Sequence, residues 1–78
     1  MNEKFSFTIE ERHCNIIAEI ECSDMYNDML ENGDYEYILE IFNEVISMLS
    51  QRLKQNKCNQ EFTEIESDKL AFVLSMIE

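Results

Sequence analysis

The sequence contains a single glycine and a single histidine, and both scarcities limit what the protein can do. A phosphate-binding loop needs several glycines to bring its backbone around the ligand, so one glycine argues strongly against such a loop. Histidine is the usual general acid or base near neutral pH, and His13 is the only one. No nucleophile-elbow, zinc-protease or P-loop motif is present. The sequence therefore predicts a protein that is not an enzyme and needs no cofactor.

Basic residues are also scarce. The chain has 17 acids and six bases, a formal net charge of -11, and no Lys or Arg lies between His13 and Gln51. Such a charge repels nucleic acid and anionic membranes and attracts basic protein surfaces. We therefore expect a protein partner and no direct binding to nucleic acid or membranes. Arg52, Lys54 and Lys57 cluster at the end of a long helical pattern, where cations complement the helix dipole.

The cysteine pattern indicates free thiols. Cys14, Cys22 and Cys58 are odd in number, and no two of them have CxxC spacing. The N-terminal residues do not resemble a signal peptide, and no apolar run approaches the 18 residues or so of a membrane span. We expect a cytoplasmic protein whose 78 residues, 45% of them hydrophobic, form one small acidic domain over 1–78.

The N-terminal part of the chain suggests β-structure. Apolar and polar residues alternate at 5–9 and again at 16–22, as they do in strands that bury one face. In the second run only Ile17 breaks the pattern, which otherwise places Ile16, Ala18, Ile20 and Cys22 on one face and Glu19 and Glu21 on the other. The two runs predict an antiparallel β-hairpin with a loose loop, and they place His13 in that loop, exposed, beside a buried or half-buried Cys14.

The rest of the chain is predicted to be helical. Ser23 is expected to cap a short helix that ends at Asn32-Gly33. Asp34 is expected to cap a long helix to about Lys54, whose wide apolar arc predicts that it is covered on two sides. Thr63 and Glu66 fit the capping box of a last helix, although a strand at 61–66 is the alternative. The predicted fold is α+β, a single domain of order ββααα.

Metal sites are not indicated. His13 and the three cysteines are ligands of a type that zinc accepts, but their spacing lacks the close pairs of structural zinc sites. Asp24, Asp28 and Glu31 lie at helical spacing without the order of an EF-hand loop, so a solvated face is expected. We predict that no residue of this chain binds a metal ion.

The acidic stretch is the main candidate for function. Glu36, Glu40 and Glu44 repeat every four residues, and like charges at that spacing cost roughly 0.2–0.5 kcal/mol per contact. Natural surfaces usually mix both signs, so a one-signed stretch suggests a use. The predicted partner-binding residues are the nine acids between His13 and Gln51: Glu19, Glu21, Asp24, Asp28, Glu31, Asp34, Glu36, Glu40 and Glu44.

In size and charge the chain resembles the small inhibitors that bacteriophages and mobile elements make against CRISPR effectors and restriction enzymes. The resemblance covers bulk character and no motif, so it assigns no residue. It implies an acidic mimic of DNA that occupies the basic, nucleic-acid-binding surface of a partner protein.

Two other interpretations stay open at the level of sequence. The acids could serve solubility alone. The chain could also be a homodimeric structural or regulatory adaptor, because an open hairpin edge favours pairing with a second copy. In that case Tyr37, Ile41 and Met48, which widen the apolar arc of the long helix, would form its contact groove.

Overall fold

A long central helix organises the molecule. The computed structural model describes residues 8–78 and contains α1 (Ile9–Cys22), α2 (Asp24–Asn32), α3 (Glu36–Lys54) and α4 (Glu64–Ile77). The helix α3 contacts each of the other three, which also contact one another. The protein is therefore an all-α arrangement of four helices over the described residues, with no strand between 8 and 78.

The predicted β-hairpin, and with it the α+β class, is wrong. Residues 16–22 belong to α1, and Ile9 is its first residue, while Phe5 and Phe7 lie outside the described residues. Thr8 and Glu11 start the helix with a capping box: the Thr8 Oγ1 accepts from the Glu11 backbone, and the Glu11 carboxylate accepts from the Thr8 backbone at 2.7 Å. This local signal fixes a helix where alternation suggested a strand.

The burial pattern of α1 explains the error. Four residues of α1 face the core: His13, Ile16, Ile17 and Ile20. They are spaced by three, one and three residues, which places them on one side of a helix. Ala18 and the thiol of Cys22, which alternation placed beside Ile20, are exposed. Ile17, which broke the alternation, packs against the core. The same isoleucines thus satisfy a helical period better than a strand period.

Both ends of α2 agree with the sequence prediction, whereas the start of α3 corrects it. Ser23 caps α2 by accepting from the Tyr26 backbone at 3.2 Å, and Gly33 ends it in the left-handed conformation at φ 70°. Asp34 does not cap α3, because Tyr35 occupies that position with φ 56° and makes no side-chain cap bond. Both Gly33 and Tyr35 are left-handed in this three-residue turn, and Asp34 lies one residue before the capping position.

The start of α4 agrees with the predicted capping box. The Thr63 Oγ1 accepts from the Glu66 backbone at 3.2 Å, and the Glu66 carboxylate accepts from the Thr63 backbone at 2.8 Å. The alternative strand at 61–66 is therefore wrong, since Glu64 begins the first helical turn.

One hydrophobic core joins the four helices. Every helix contributes to it, and α3 contributes most; its fully buried residues are Ile20, Met29, Phe42, Val45, Leu49 and Val73. Because α3 is covered by three neighbours, only a narrow side of it faces solvent, as the apolar arc predicted. Within residues 8–78, no helix combines the length and apolar character that crossing a bilayer requires.

Candidate interaction surface

The nine predicted partner-binding acids are all exposed, although they occupy four different parts of the fold. Glu19 and Glu21 lie on α1, and Asp34 lies in the turn after α2. The other six form two rows of three, one on α2 and one on α3. The geometry of these rows decides which of the acids can meet the same partner.

The α2 row consists of Asp24, Asp28 and Glu31. These residues are four and three positions apart, so they share the side of α2 that faces away from the buried Met29. None of the three has an ion-pair partner among residues 8–78. The α2 row is a fully solvated line of negative charge.

The α3 row consists of Glu36, Glu40 and Glu44, one helical turn apart, and spans about 12 Å along the axis. Glu44 accepts from the Lys69 ammonium of α4 at 2.5 Å, while Glu36 and Glu40 have no ion-pair partner in the described part of the chain. The charge on this row is therefore concentrated at its N-terminal two glutamates.

A tyrosine joins the two helices that carry the rows. The Tyr26 hydroxyl of α2 donates to the Asn43 side chain of α3 at 2.8 Å, and the Tyr26 ring stacks on the buried Phe42 ring. With Gly33 and Tyr35 setting the turn, α2 and α3 form a helical hairpin. We call residues 24–44 the acidic hairpin, because seven of the nine predicted acids lie in it.

The structure does not bring Glu19 and Glu21 together. In a strand they would share one face, as the sequence pattern suggested, but residues two apart in a helix point about 200° apart. A partner that touches one of them on α1 therefore cannot easily touch the other. The acidic hairpin is the better-defined part of the predicted site.

A groove of about 720 Å³ follows the solvent side of α3 and shows where the acidic character ends. Glu36, Glu40 and Glu44 are among its lining residues, together with Lys57 of the loop after α3 and Glu66 of α4. The acidic row therefore covers only the N-terminal half of α3, and the exposed cation that lines the groove, Lys57, lies in the loop after the helix.

Arg52 has a role that the sequence pattern did not reveal. Only 8% of it is exposed, and its guanidinium donates to the carbonyls of Gln60 and Glu61 and to the Glu66 carboxylate at 3.2 Å. It also lies 4.2 Å from the centre of the Phe62 ring. The signal was its place three residues after Leu49, on the apolar side of α3. Arg52 thus holds the α3–α4 loop and is not a free surface cation.

The lone histidine is buried, so the predicted exposed loop position is wrong. His13 lies in α1 with 6% exposure and stacks on Phe62 at 5.9 Å between ring centres. Its Nδ1 donates to the Ile9 carbonyl at 2.9 Å. Its Nε2 is buried and has no hydrogen-bond partner in the described part of the protein. A ring enclosed in this way has no access to a substrate, and we assign it to packing.

The cysteines are free and lie in different environments. Cys14 and Cys22 are exposed, which corrects the buried position expected for Cys14, and Cys58 is buried in the α3–α4 loop. Burial raises the pKa of the Cys58 thiol, and the nearby Glu10 charge adds to the rise. Within residues 8–78 no three His, Cys, Asp or Glu side chains are grouped as a metal site would need.

Several large apolar side chains remain exposed. Tyr35 is 68% exposed in the hairpin turn, and Tyr37 is 77% exposed in the first turn of α3. Ile41 and Met48, which were predicted to form a groove with Tyr37, are half-buried and pack against the core. Met48 also lines a smaller groove between α3 and α4.

No protein-family model matches the chain, and neither a curated protein nor a solved structure matches it. The function has to be inferred from the charges and exposed side chains of the chain itself.

Proposed function

We propose that this protein is a non-catalytic binding module whose acidic hairpin docks on a basic surface of a partner protein. One observation carries the proposal: seven exposed acids lie on one helical hairpin, and only Glu44 has an ion-pair partner among residues 8–78. Where the basic surface is a nucleic-acid-binding groove, the protein inhibits its partner by occupying that groove.

The energetics favour a partner over solvation alone. Exposed like charges one turn apart destabilise a helix by roughly 0.2–0.5 kcal/mol per contact, and neither Glu36 nor Glu40 is relieved by an ion pair within residues 8–78. A basic surface would remove this repulsion on docking and would also accelerate the encounter. Docking would thus give the unpaired carboxylates of both rows the positive partners that residues 8–78 do not supply.

Tyr35 supplies an anchor within the acidic hairpin. It is 68% exposed, lies between Asp34 and Glu36, and holds a left-handed φ of 56° that is unfavourable for a residue with a Cβ. Exposed tyrosines are frequent among the residues that contribute most to protein interfaces. A strained, solvent-facing aromatic ring between two charged neighbours is consistent with contact to a partner.

The mimicry concerns charge and not the spacing of phosphates. Glutamates one turn apart are about 6 Å apart along the helix, whereas duplex DNA carries a charge every ~1.7 Å of its axis. The acidic hairpin would therefore satisfy selected Lys and Arg side chains of a groove. Docking of this kind involves no turnover and no cofactor. It is proposed to take place in the cytoplasm, where the three free thiols would stay reduced.

The test is capture of a partner from the cell that makes the protein, using the tagged full chain as bait. We expect a nucleic-acid-binding protein to be retained and to be displaced by added duplex DNA. Glu36→Lys with Glu40→Lys should abolish retention, because it reverses the unpaired half of the α3 row.

The matched control is Glu61→Lys with Asp68→Lys. This pair makes the same change in net charge at exposed positions outside the acidic hairpin, so retention should persist. Equal loss of binding in both variants would show that only the overall charge matters. Retention unaffected by Glu36→Lys with Glu40→Lys, or by DNA, would refute docking through the acidic hairpin.

A further inference from the structure

A second surface, between α3 and α4, combines exposed apolar side chains with charges of both signs. Ile65 is 67% exposed and Tyr37 is 77% exposed, and Phe72 is 37% exposed on α4. Met48 and Ile65 line the small groove between the two helices. We call this surface the α3–α4 face, formed by Tyr37, Ile41, Met48, Ile65 and Phe72.

The Glu44–Lys69 ion pair lies at the centre of the α3–α4 face. On α4, Ile65, Lys69 and Phe72 are four and three residues apart and so share one side of the helix. On α3, Tyr37, Ile41 and Glu44 are related in the same way. The hydrogen bond to Glu44 raises the pKa of Lys69, and the negative charges of Glu44 and Glu40 add to the rise, which places Glu40 near the ammonium.

The charge balance of this face indicates what could cover it. Two copies of a protein with net charge -11 repel each other wherever unpaired acids meet. On the α3–α4 face the acid at the centre is neutralised by Lys69, and Glu66 at its edge is paired with Arg52. Glu40 lies nearby without an ion-pair partner among residues 8–78, but the face presents both signs of charge. Its Glu44 and Lys69 can therefore each meet the opposite charge on a second copy, which the α2 row, with acids alone, cannot do.

We propose that a second copy of the chain packs its own α3–α4 face against this one, about a two-fold axis that passes by the Glu44–Lys69 pair. A two-fold contact uses the same patch on both copies. If one residue touches a second residue of the other copy, the same contact is made in the reverse direction. When this axis runs parallel to α3 and α4, Lys69 of one copy faces Glu44 of the other. Each end of the face then lies over the same end of the other copy, so Tyr37 of one copy covers the Phe72 end of the other and Met48 covers the Ile65 end. Ion pairs exchanged across the axis fix the register.

The available area predicts a weak dimer. Side chains of this size bury about 150–250 Å² when fully covered, so the exposed fractions here amount to roughly 400–500 Å² per copy. Both copies together would bury roughly 800–1,000 Å², which is below the ~1,200 Å² at which stable interfaces begin and is typical of a weak, transient contact. The dimer covers Glu44 and leaves the α2 row and Asp34 exposed. Because it forms without any partner protein, it can be tested apart from the docking proposal.

Sedimentation equilibrium of the full chain over a micromolar concentration series, without any partner, tests the proposal. We expect reversible association that stops at the dimer. Ile65→Ser should weaken it by about tenfold or more, whereas Leu30→Ser, at a 53% exposed position on α2, should leave it unchanged. A strict monomer, larger assemblies, or equal effects of the two variants would overturn the proposal.

The ion pair offers a test that is specific to a two-fold axis. Glu44→Lys and Lys69→Glu should each be monomeric, because each brings like charges together across the axis. An equimolar mixture of the two variants should dimerise again, since the two substituted side chains then face each other with opposite charges, as do the two unsubstituted ones. Circular dichroism confirms that each variant folds, and a mixture that stays monomeric contradicts the geometry.

Discussion

Arg52 shows how much one side chain contributes to this small fold. The segment between α3 and α4 contains no regular element, and its carbonyls at Gln60 and Glu61 turn inward toward the guanidinium. Phe62 packs between that guanidinium and the His13 ring. The arginine therefore connects α3 to the loop directly and to α1 through Phe62.

Replacing Arg52 with alanine should lower the free energy of unfolding by about 2–4 kcal/mol, because several buried hydrogen-bond acceptors lose their donor. Arg52→Lys should recover little of this, since an ammonium cannot reach several acceptors as a planar guanidinium does. Urea denaturation measures both. Lys54→Ala, an exposed cation two residues away, should change stability by less than about 0.5 kcal/mol. Similar losses for both alanine variants would argue against this role.

At the scale of elements, the start of α4 gives a pH-dependent prediction. The hydrogen bond from the Thr63 backbone lowers the pKa of Glu66, and the Arg52 guanidinium lowers it further. A carboxylate with a depressed folded pKa stabilises the protein above its unfolded pKa, near the usual 4.5, and loses that contribution as the pH falls through the folded value.

Glu66→Gln should therefore be less stable than the unaltered protein at pH 7, and the difference should shrink steadily as the pH is lowered below about 4.5. Thermal unfolding of both proteins between pH 7 and pH 3 measures it. A difference that stays constant over this range would mean that the charge of Glu66 does not contribute to stability. Asp68→Asn, at an exposed position on the same helix, is the control.

The turn of the acidic hairpin links stability to function. Tyr35→Gly should raise the free energy of unfolding by roughly 0.5–1 kcal/mol, because glycine accepts the left-handed conformation that tyrosine resists. The same change should weaken partner binding, since it removes the exposed ring.

Urea denaturation and partner capture measure these two effects of Tyr35→Gly separately, and Tyr37→Ala, in regular helical conformation, serves as the stability control. A Tyr35→Gly variant that is both less stable and fully able to bind would contradict the role given to Tyr35.

The elements also show why the sequence revealed three helices and missed one. Ser23, Gly33 and Thr63 act on their immediate neighbours, so α2, α4 and most of α3 could be located from local chemistry. In α1, isoleucines at 16 and 20 fit a strand period and a helical period equally well, and Ile17 and the capping box at Thr8 decide between them. Together, Ile17 and the capping box predict a helix rather than a strand.

The candidate site was predictable in part. Exposure of the nine acids followed from their charge, because isolated carboxylates stay in water. Their grouping did not follow, since the separation of Glu19 from Glu21 depends on α1 being a helix, and the Glu44–Lys69 pair joins residues 25 positions apart. Contacts of that range come from tertiary packing, which no local pattern in one sequence encodes.

At the scale of the whole molecule, this acidic protein has two candidate surfaces, which overlap on α3 at Tyr37, Ile41 and Glu44. The acidic hairpin at 24–44 concentrates unpaired negative charge, and the α3–α4 face is apolar and neutral at its centre. A dimer formed through the second surface would cover Glu44 and present two copies of the α2 row and of Asp34. Net charge would then serve recognition as well as solubility, and solubility alone would not require the acids to gather on one hairpin.

The most direct test of docking is the affinity for the captured, purified partner at a series of salt concentrations, measured by calorimetry. We predict that affinity falls steeply from low to physiological salt, and that Glu36→Lys with Glu40→Lys weakens binding and flattens the dependence. The variant Glu61→Lys with Asp68→Lys should keep most of the affinity and most of its dependence on salt. An affinity that is the same at low and physiological salt, and that survives reversal of Glu36 and Glu40, would contradict the central claim.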